Sequence, residues 1–399
     1  GGCVVLIYIV AGEASGDALG ARLVSALRGR RPDLTFAGIG GERLAEQGMP
    51  SLFPMRELAL MGLIEVLPNI RNLSRRMAET VADITARRPA LIVTIDSPGF
   101  TLRLAERVKP LGIPVIHYVA PQIWAWRPGR VKKVRERVDR ILCLLPFEPV
   151  LFDRAGIPAS FVGHPVLESG ADSGDAARFR ARHGIGAEEK LLLAMPGSRR
   201  MEAKRLLPIF GATLRLLEAR LPGLRPVIPV SPVVAELVRD AAAGWPGRPI
   251  LVETLAEKHD AFAAVRDSGG AGLIKSGTSS LEMAVAGLPH VVTYRVNPIT
   301  AAIIRRLVRV RFASLVNLLA DREIAPEYLQ DRATPDALAE ALHQLLTDPQ
   351  AASAQREGLA SVLDQLHPPG LAPSEAAADA VLEALERAAF DRNRDSGAG

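Results

Sequence analysis

The sequence predicts an α/β protein of two consecutive Rossmann-like domains facing a central cleft, with a C-terminal helix returning to the first domain. Three observations lead there. Short, continuously apolar runs rich in Val, Ile and Leu alternate with longer helical patterns in both halves of the chain, as parallel strands covered on both faces require. A polar, Gly/Asp/Ala-rich stretch after Gly163-His164-Pro165 interrupts the rhythm, which restarts at Leu191. The 399 residues suffice for roughly two to three domains of ordinary size.

In chain order, the strands of the first half are expected at 4–11, 35–38, 91–95, 114–119, 141–145 and 161–163, with helical patterns such as 18–28 and 102–108 between them. Residues 1–165 then form the first domain and 166–189 a linker. The second domain, 190–367, takes strands at 191–195, 227–230, 250–252, 272–274 and 291–294. Pro368-Pro369-Gly370 breaks the chain. Ser374 reads as the N-cap of a return helix within 368–390, before a polar, frayed tail at 391–399.

Composition narrows the function classes. Apolar residues are 48% and charged residues 23% of the chain, which excludes a mostly disordered protein. A net charge of +5 does not indicate a general polyanion binder, so no nucleic-acid partner is expected. Cys3 and Cys143, the only cysteines, form no C-x-x-C pair. That argues against a disulfide scaffold or a thiolate zinc site and suits a reducing cytoplasm. No apolar run approaches the roughly 18 to 20 residues that span a bilayer. The short apolar start at 3–11 lacks a basic leader and reads as a buried strand, not a signal peptide. The Gly-Gly beginning suggests that some starting residues are missing or altered.

Five segments carry chemistry. Gly12, Glu13, Ser15, Gly16 and Asp17 follow the first strand; they fit simple turn chemistry or, at a strand's carboxyl end, the lining of a ligand crevice. Asp96 ends the strand at 91–95 and fits either a helix N-cap or a proton acceptor for a substrate hydroxyl. From Arg127 to Arg140 there are seven basic and two acidic residues, beside Trp124 and Trp126. This stretch suits a solvated helix face or an anionic surface. Gly197-Ser198-Arg199 follows the first strand of the second half, where backbone N–H groups and a guanidinium suit a diphosphate. Ser276-Gly277-Thr278-Ser279 leads into a helix bearing Glu282, which adds hydroxyls for phosphate and a carboxylate for ribose, or else is a capped helix with an exposed acid. No D-x-D, H-E-x-x-H or G-x-S-x-G occurs, so neither a metal nor a cofactor is expected. His117 and His164 read as hydrogen-bonding residues of the sheet edge.

These segments, taken together, resemble the lipid-A-disaccharide synthase family. The matches are AGEASGD at 11–17, MGLIEVL at 61–67, IDSPGF at 95–100, HYVAPQIWAWRPGRVKK at 117–133, LPFEP at 145–149, FVGHP at 161–165, PGSR at 196–199, SGTSSLE at 276–282 and SLVNLLADREIAPEYLQ at 314–330. The resemblance implies a two-domain GT-B glycosyltransferase that works without a bound metal. It implies inverting transfer of 2,3-diacylglucosamine from UDP to the 6-hydroxyl of 2,3-diacylglucosamine 1-phosphate. By motif, Asp96 falls where the family has its candidate base and Arg199 where it has an essential arginine. Asn317 and Gln330 are expected to reach the cleft with Glu13, Ser15 and Asp17. Lys275 departs from the small residue usual before the SGT turn; it either adds charge near the diphosphate or points elsewhere. Both substrates carry acyl chains, so peripheral association with the anionic inner membrane of a Gram-negative bacterium is expected from the cytoplasmic side. Leu63, Ile64, Val66, Leu67, Ile70 and Leu73 are the expected membrane contacts, with the amphipathic, arginine-bearing segment at 303–311 as a second surface. A UDP-sugar 2-epimerase of the same fold, acting at C2 without a lipid acceptor, is the alternative enzyme; a non-enzymatic nucleotide-binding module is the third reading.

Overall fold

The computed structural model describes residues 4–59, 66–121, 131–307 and 311–397. Contacts divide the chain into two units, Gly1–Pro165 with Leu366–Gly399, and Val166–Gln365. Unit 1 holds strands β1 (Val5–Ala11), β2 (Leu34–Ile39), β3 (Leu91–Ile95), β4 (Val115–Tyr118), β5 (Arg140–Cys143) and β6 (Ala159–Phe161). Its helices up to the unit boundary are α1 (Ala14–Arg30), α2 (Glu42–Glu46), α3 (Arg56–Ala59), α4 (Val66–Arg87), α5 (Pro98–Val108), α6 (Val131–Arg135) and α7 (Glu148–Arg154).

The six strands form one parallel sheet in the order β2-β1-β3-β4-β5-β6. Its continuous apolar strands follow from burial on both faces. Ile7, Ile9 and Ala11 of β1 join one core cluster, whereas Tyr8 and Val10 join the opposite one with Phe100 and Leu104 of α5. Burying each large side chain contributes about 1.5–3 kcal/mol, so a charge at any of these alternating positions would unseat a helix layer.

Unit 2 repeats the plan with β7 (Leu191–Met195), β8 (Arg225–Pro229), β9 (Ile250–Val252), β10 (Ala271–Lys275), β11 (His290–Tyr294) and β12 (Glu327–Leu329). The parallel order is β12-β11-β10-β7-β8-β9. Its helices are α8 (Ala176–His183), α9 (Arg200–Arg220), α10 (Ala235–Ala242), α11 (Leu255–Asp267), α12 (Ser279–Ala286), α13 (Pro298–Leu307), α14 (Leu315–Ala320), α15 (Pro335–Thr347) and α16 (Pro349–Leu366).

Three sequence expectations change. Residues 166–189 are not a free linker, because α8 is packed into unit 2. Phe179 is 1% exposed, Arg178 donates to both oxygens of Asp260 at 2.7 and 2.8 Å, and His183 Nε2 lies 2.6 Å from Glu257 Oε1. Strand β12 escaped notice because it is a three-residue edge with no apolar run. Its Glu327 carboxylate accepts from the backbone N–H of Ala313 and Ser314. The return helix α17 (Pro373–Ser396) runs past Phe390, so most of the expected tail is helical. It packs on α1, with Ala377, Ala378, Val381 and Leu385 in the shared core and Arg30 paired to Glu375 at 2.6 Å and to Asp379.

Candidate functional site

In an open parallel sheet, ligands bind outside the carboxyl ends of the strands where the strand order reverses. In unit 2 that point lies between β7 and β10, and Ile274 of β10 pairs with Met195 of β7. The β7–α9 turn carries Gly197 and Ser198; the β10–α12 turn carries Ser276, Gly277, Thr278 and Ser279. All six line one cleft of about 440 Å³, joined by Glu282. Gly197 sits at φ +111° and Gly277 at φ +147°, conformations that side chains with a Cβ rarely adopt, so the two turns hug the crevice.

The cleft combines three kinds of wall. Met195, Val230, Val252 and Leu255 give apolar surface suited to a planar ring. The N-termini of α9 and α12 present backbone N–H groups and positive dipole ends. Two lysines supply charge: Lys258 pairs with Glu282 at 3.0 Å, and Lys275 with Glu202 at 2.9 Å. Lys258 was not anticipated. The available signal was its place in the first turn of α11, directly after β9, behind the Thr254 cap that accepts from Glu257 N. Arg199 is exposed at the N-cap of α9, beside the cleft and not among its lining residues; its positive charge acts on the Tyr294 phenol.

In unit 1 the order reverses between β1 and β3, where Ala11 pairs with Ile95. Glu13, Ser15 and Asp96 therefore emerge at one sheet edge. Glu13, the extended N-cap of α1, and Ser15, on its first turn, are both exposed. Asp96 (φ +50°) and Ser97 (φ +45°) are both left-handed. That geometry is costly for residues with a Cβ and is held from several sides. Asp96 N donates to Tyr118 O at 2.9 Å, and Thr101 Oγ1 donates to Asp96 O at 2.9 Å and to Ser97 O at 3.0 Å. Gly12 is needed for this packing: a Cβ there would lie 2.4 Å from Ser97 Oγ. Burial, and then the neighbouring Glu13 carboxylate, push the Asp96 pKa up. On the adjacent strand His117 is fully buried, with Nδ1 2.7 Å from Thr94 Oγ1, and desolvation lowers its pKa to about 4. It is a neutral packing residue.

Two expected cleft residues are committed elsewhere. Asp17 is 4% exposed and turned inward: Oδ1 accepts from Gly41 N at 2.8 Å and Leu44 N at 3.0 Å, and Oδ2 from Arg43 N at 3.0 Å. Asn317 is fully buried. Its Nδ2 donates to Ala325 O and Glu327 Oε1, while Oδ1 accepts from Ile324 N and Ala325 N, so the whole amide ties α14 to β12. Gln330, left-handed at φ +53° just beyond β12, accepts from Val296 N through Oε1.

Of the expected membrane contacts, Leu63 and Ile64 lie outside the described residues, as does most of the tryptophan-bearing segment; Val66 and Leu67 begin α4. Ile70 is 46% exposed, but Leu73 is 9% exposed and belongs to the core, which corrects its assignment. Ile70 and Leu73 wall a second cavity of about 490 Å³ with Met77 and Phe100, fringed by Arg103, Arg107 and Arg137 and by Glu106, which pairs with Arg137 at 3.1 Å. On α13, Ile299 (73%) and Ile303 (52%) are exposed. Among the described residues no helix is long and apolar enough to cross a membrane.

Residues 7–381 match the family model described as lipid-A-disaccharide synthetase. The chain is 54% identical to the lipid-A-disaccharide synthase of Granulibacter bethesdensis, covering 95% of this chain and 98% of that protein. It is 53% identical to that of Gluconobacter oxydans, covering 95% and 91%. In fold it is similar to UDP-GlcNAc 2-epimerase from Neisseria meningitidis bound to UDP-GlcNAc, with a TM-score of 0.66 at 13% identity over 95% of this chain and all of that one. It is likewise similar to the spinosyn rhamnosyltransferase SpnG complexed with thymidine diphosphate, with a TM-score of 0.55 at 14% identity over 95% and 100%. Fold likeness at such low identity is shared by epimerases and transferases alike, whereas identity above one half along nearly the full length is not, and on that ground the chain belongs to the lipid-A-disaccharide synthase family.

Proposed function

We propose that the chain transfers 2,3-diacylglucosamine from UDP to the 6-hydroxyl of 2,3-diacylglucosamine 1-phosphate, inverting the anomeric carbon to give the β-1,6 disaccharide and UDP. Unit 2 takes the donor. The uracil ring suits the apolar wall, Glu282 accepts from ribose hydroxyls, and the diphosphate lies on the turns at Gly197-Ser198 and Ser276–Ser279, with Arg199 at the edge. Unit 1 supplies Asp96 as base. The acceptor O6 attacks C1 of the donor sugar on the face opposite UDP while its proton passes to the Asp96 carboxylate. The C1–O bond breaks, its electron pair goes to the β-phosphate, and the α12 N-terminus, Lys258, Lys275 and Arg199 supply positive charge there. Glu13 and Ser15 remain free to orient the acceptor, and the apolar cavity with its arginine fringe suits an acyl chain near an anionic group.

The observation that carries this reading is Asp96 at the strand-order reversal of unit 1, ionisable, partly buried and held in a strained turn. Its test is mass spectrometry after mixing the protein with the two acylated substrates, beside a parallel incubation with UDP-N-acetylglucosamine. Disaccharide and UDP are expected from the first and no epimer from the second. An epimer without disaccharide would replace the transferase reading by an epimerase.

A further inference from the structure

Lys275 is the last residue of β10, at the centre of the unit 2 sheet, and lines the cleft. Its Nζ lies 2.9 Å from Glu202 Oε1 and 5.1 Å from the centre of the Tyr294 ring. Glu202 stands in the first turn of α9. Its second oxygen is 3.0 Å from the point a Cβ on Gly197 would occupy, and Lys275 Cγ is 3.6 Å from that same point. One carboxylate thus sits over the Gly197 turn at a helix N-terminus, where an anion is favoured, and holds Lys275, which reaches the turn from the neighbouring strand. Glu202 and Lys275 are 15% and 23% exposed, so water screens the pair only in part.

We infer that Lys275 is a binding residue for the terminal phosphate of a nucleoside diphosphate, and that Glu202 is an internal anion competing with that phosphate for it. In the empty cleft the carboxylate partners the ammonium. When a diphosphate settles on the Gly197 turn, its terminal oxygens take over Lys275, and Glu202 turns away or gives up its share of the charge. The chain thereby distinguishes a diphosphate, whose charge displaces the carboxylate, from a monophosphate that does not reach the lysine. The inference rests on the nucleotide reading of this cleft.

The two sides of a structural ion pair would respond alike to neutralisation; a ligand and its competitor respond in opposite directions. Calorimetric titration of the parent, Lys275→Gln, Lys275→Arg and Glu202→Gln proteins with UDP and with UMP separates the cases. Expected are a loss of about tenfold or more in UDP affinity for Lys275→Gln with UMP affinity little changed, near-parental UDP preference for Lys275→Arg, and several-fold tighter UDP binding for Glu202→Gln. Circular dichroism and thermal unfolding check the fold. If Lys275→Gln does not fold, the Lys275→Arg and Glu202→Gln results decide. Weaker UDP binding by Glu202→Gln, or equal loss of UDP and UMP by Lys275→Gln, would overturn the inference while leaving the nucleotide site standing. No UDP binding by the parent would instead overturn the site itself.

Discussion

Replacing Asp17 tests whether the AGEASGD segment faces a ligand along its whole length or only at its start. The carboxylate accepts from three backbone N–H groups of the turn entering α2. Hydrogen bonds to a charged group contribute roughly 1.5–3 kcal/mol each, but the three are not equivalent. Leu44 is buried, whereas Gly41 is only half-buried and Arg43 is exposed, so their N–H groups regain water when the acceptor is lost. Asp17→Ala is therefore expected to destabilise unit 1 by about 3–5 kcal/mol, below the simple sum. Asp17→Asn can keep its oxygen toward Gly41 and Leu44 and set its amide against Arg43 N, for a loss of about 1.5–3 kcal/mol. Urea unfolding read by hydrogen exchange in peptides spanning residues 5–46 isolates unit 1 from unit 2. Turnover per folded molecule should fall far less than stability. Full stability with turnover abolished would refute the inward reading and return Asp17 to the cleft.

Asp96→Asn should lower turnover by about a hundredfold or more, as loss of a general base does, with UDP affinity nearly unchanged; normal turnover in the folded variant would remove the base assignment. Because the Asp96 pKa is raised by burial and by Glu13, and only the ionised base works, kcat/KM should fall with decreasing pH at a point above the ordinary carboxylate value of about 3.9. Glu13→Gln removes the like charge and should move that acid limb to lower pH; an unmoved limb would deny the coupling. Arg199→Ala should weaken UDP binding by roughly 1.5–3 kcal/mol, and Glu282→Ala should abolish the preference for UDP over its 2′,3′-dideoxyribose analogue, whereas parental calorimetry for both would withdraw the donor placement. Sedimentation with anionic vesicles should weaken as salt rises and weaken further in Ile299→Ser with Ile303→Ser, given about 1 kcal/mol per surface-near basic residue; binding indifferent to both would move the docking surface off α13.

The twin parallel sheets were legible because a strand buried on both faces must be apolar along most of its length, and β1, β3, β7 and β10 are, with Thr94 in β3 and the terminal Lys275 of β10 as the polar exceptions. The positions of Asp96, Gly197 and Ser276 at strand ends were legible for the same reason: the first polar or small residue after such a run marks the carboxyl edge. Side-chain direction was not legible. Glu13 and Asp17 lie four residues apart in one motif, yet one is exposed and the other turned inward. What separates them is the turn at Gly41, which arrives only when β2 docks beside β1 and presents three N–H groups in need of an acceptor. Asn317 was drawn inward likewise by β12, an edge strand too short and polar to be seen. Lys258 gained its partner Glu282 only when α11 packed beside α12, and Lys275 gained Glu202 only when β10 paired with β7. The sequence alone determined the periodicity, and with it the fold class and the edge on which chemistry sits, because burial acts residue by residue along a strand. The tertiary structure alone decided which polar groups at that edge are spent on the fold and which remain for a ligand, because a hydrogen bond or ion pair needs two groups that only folding brings within about 3 Å of each other.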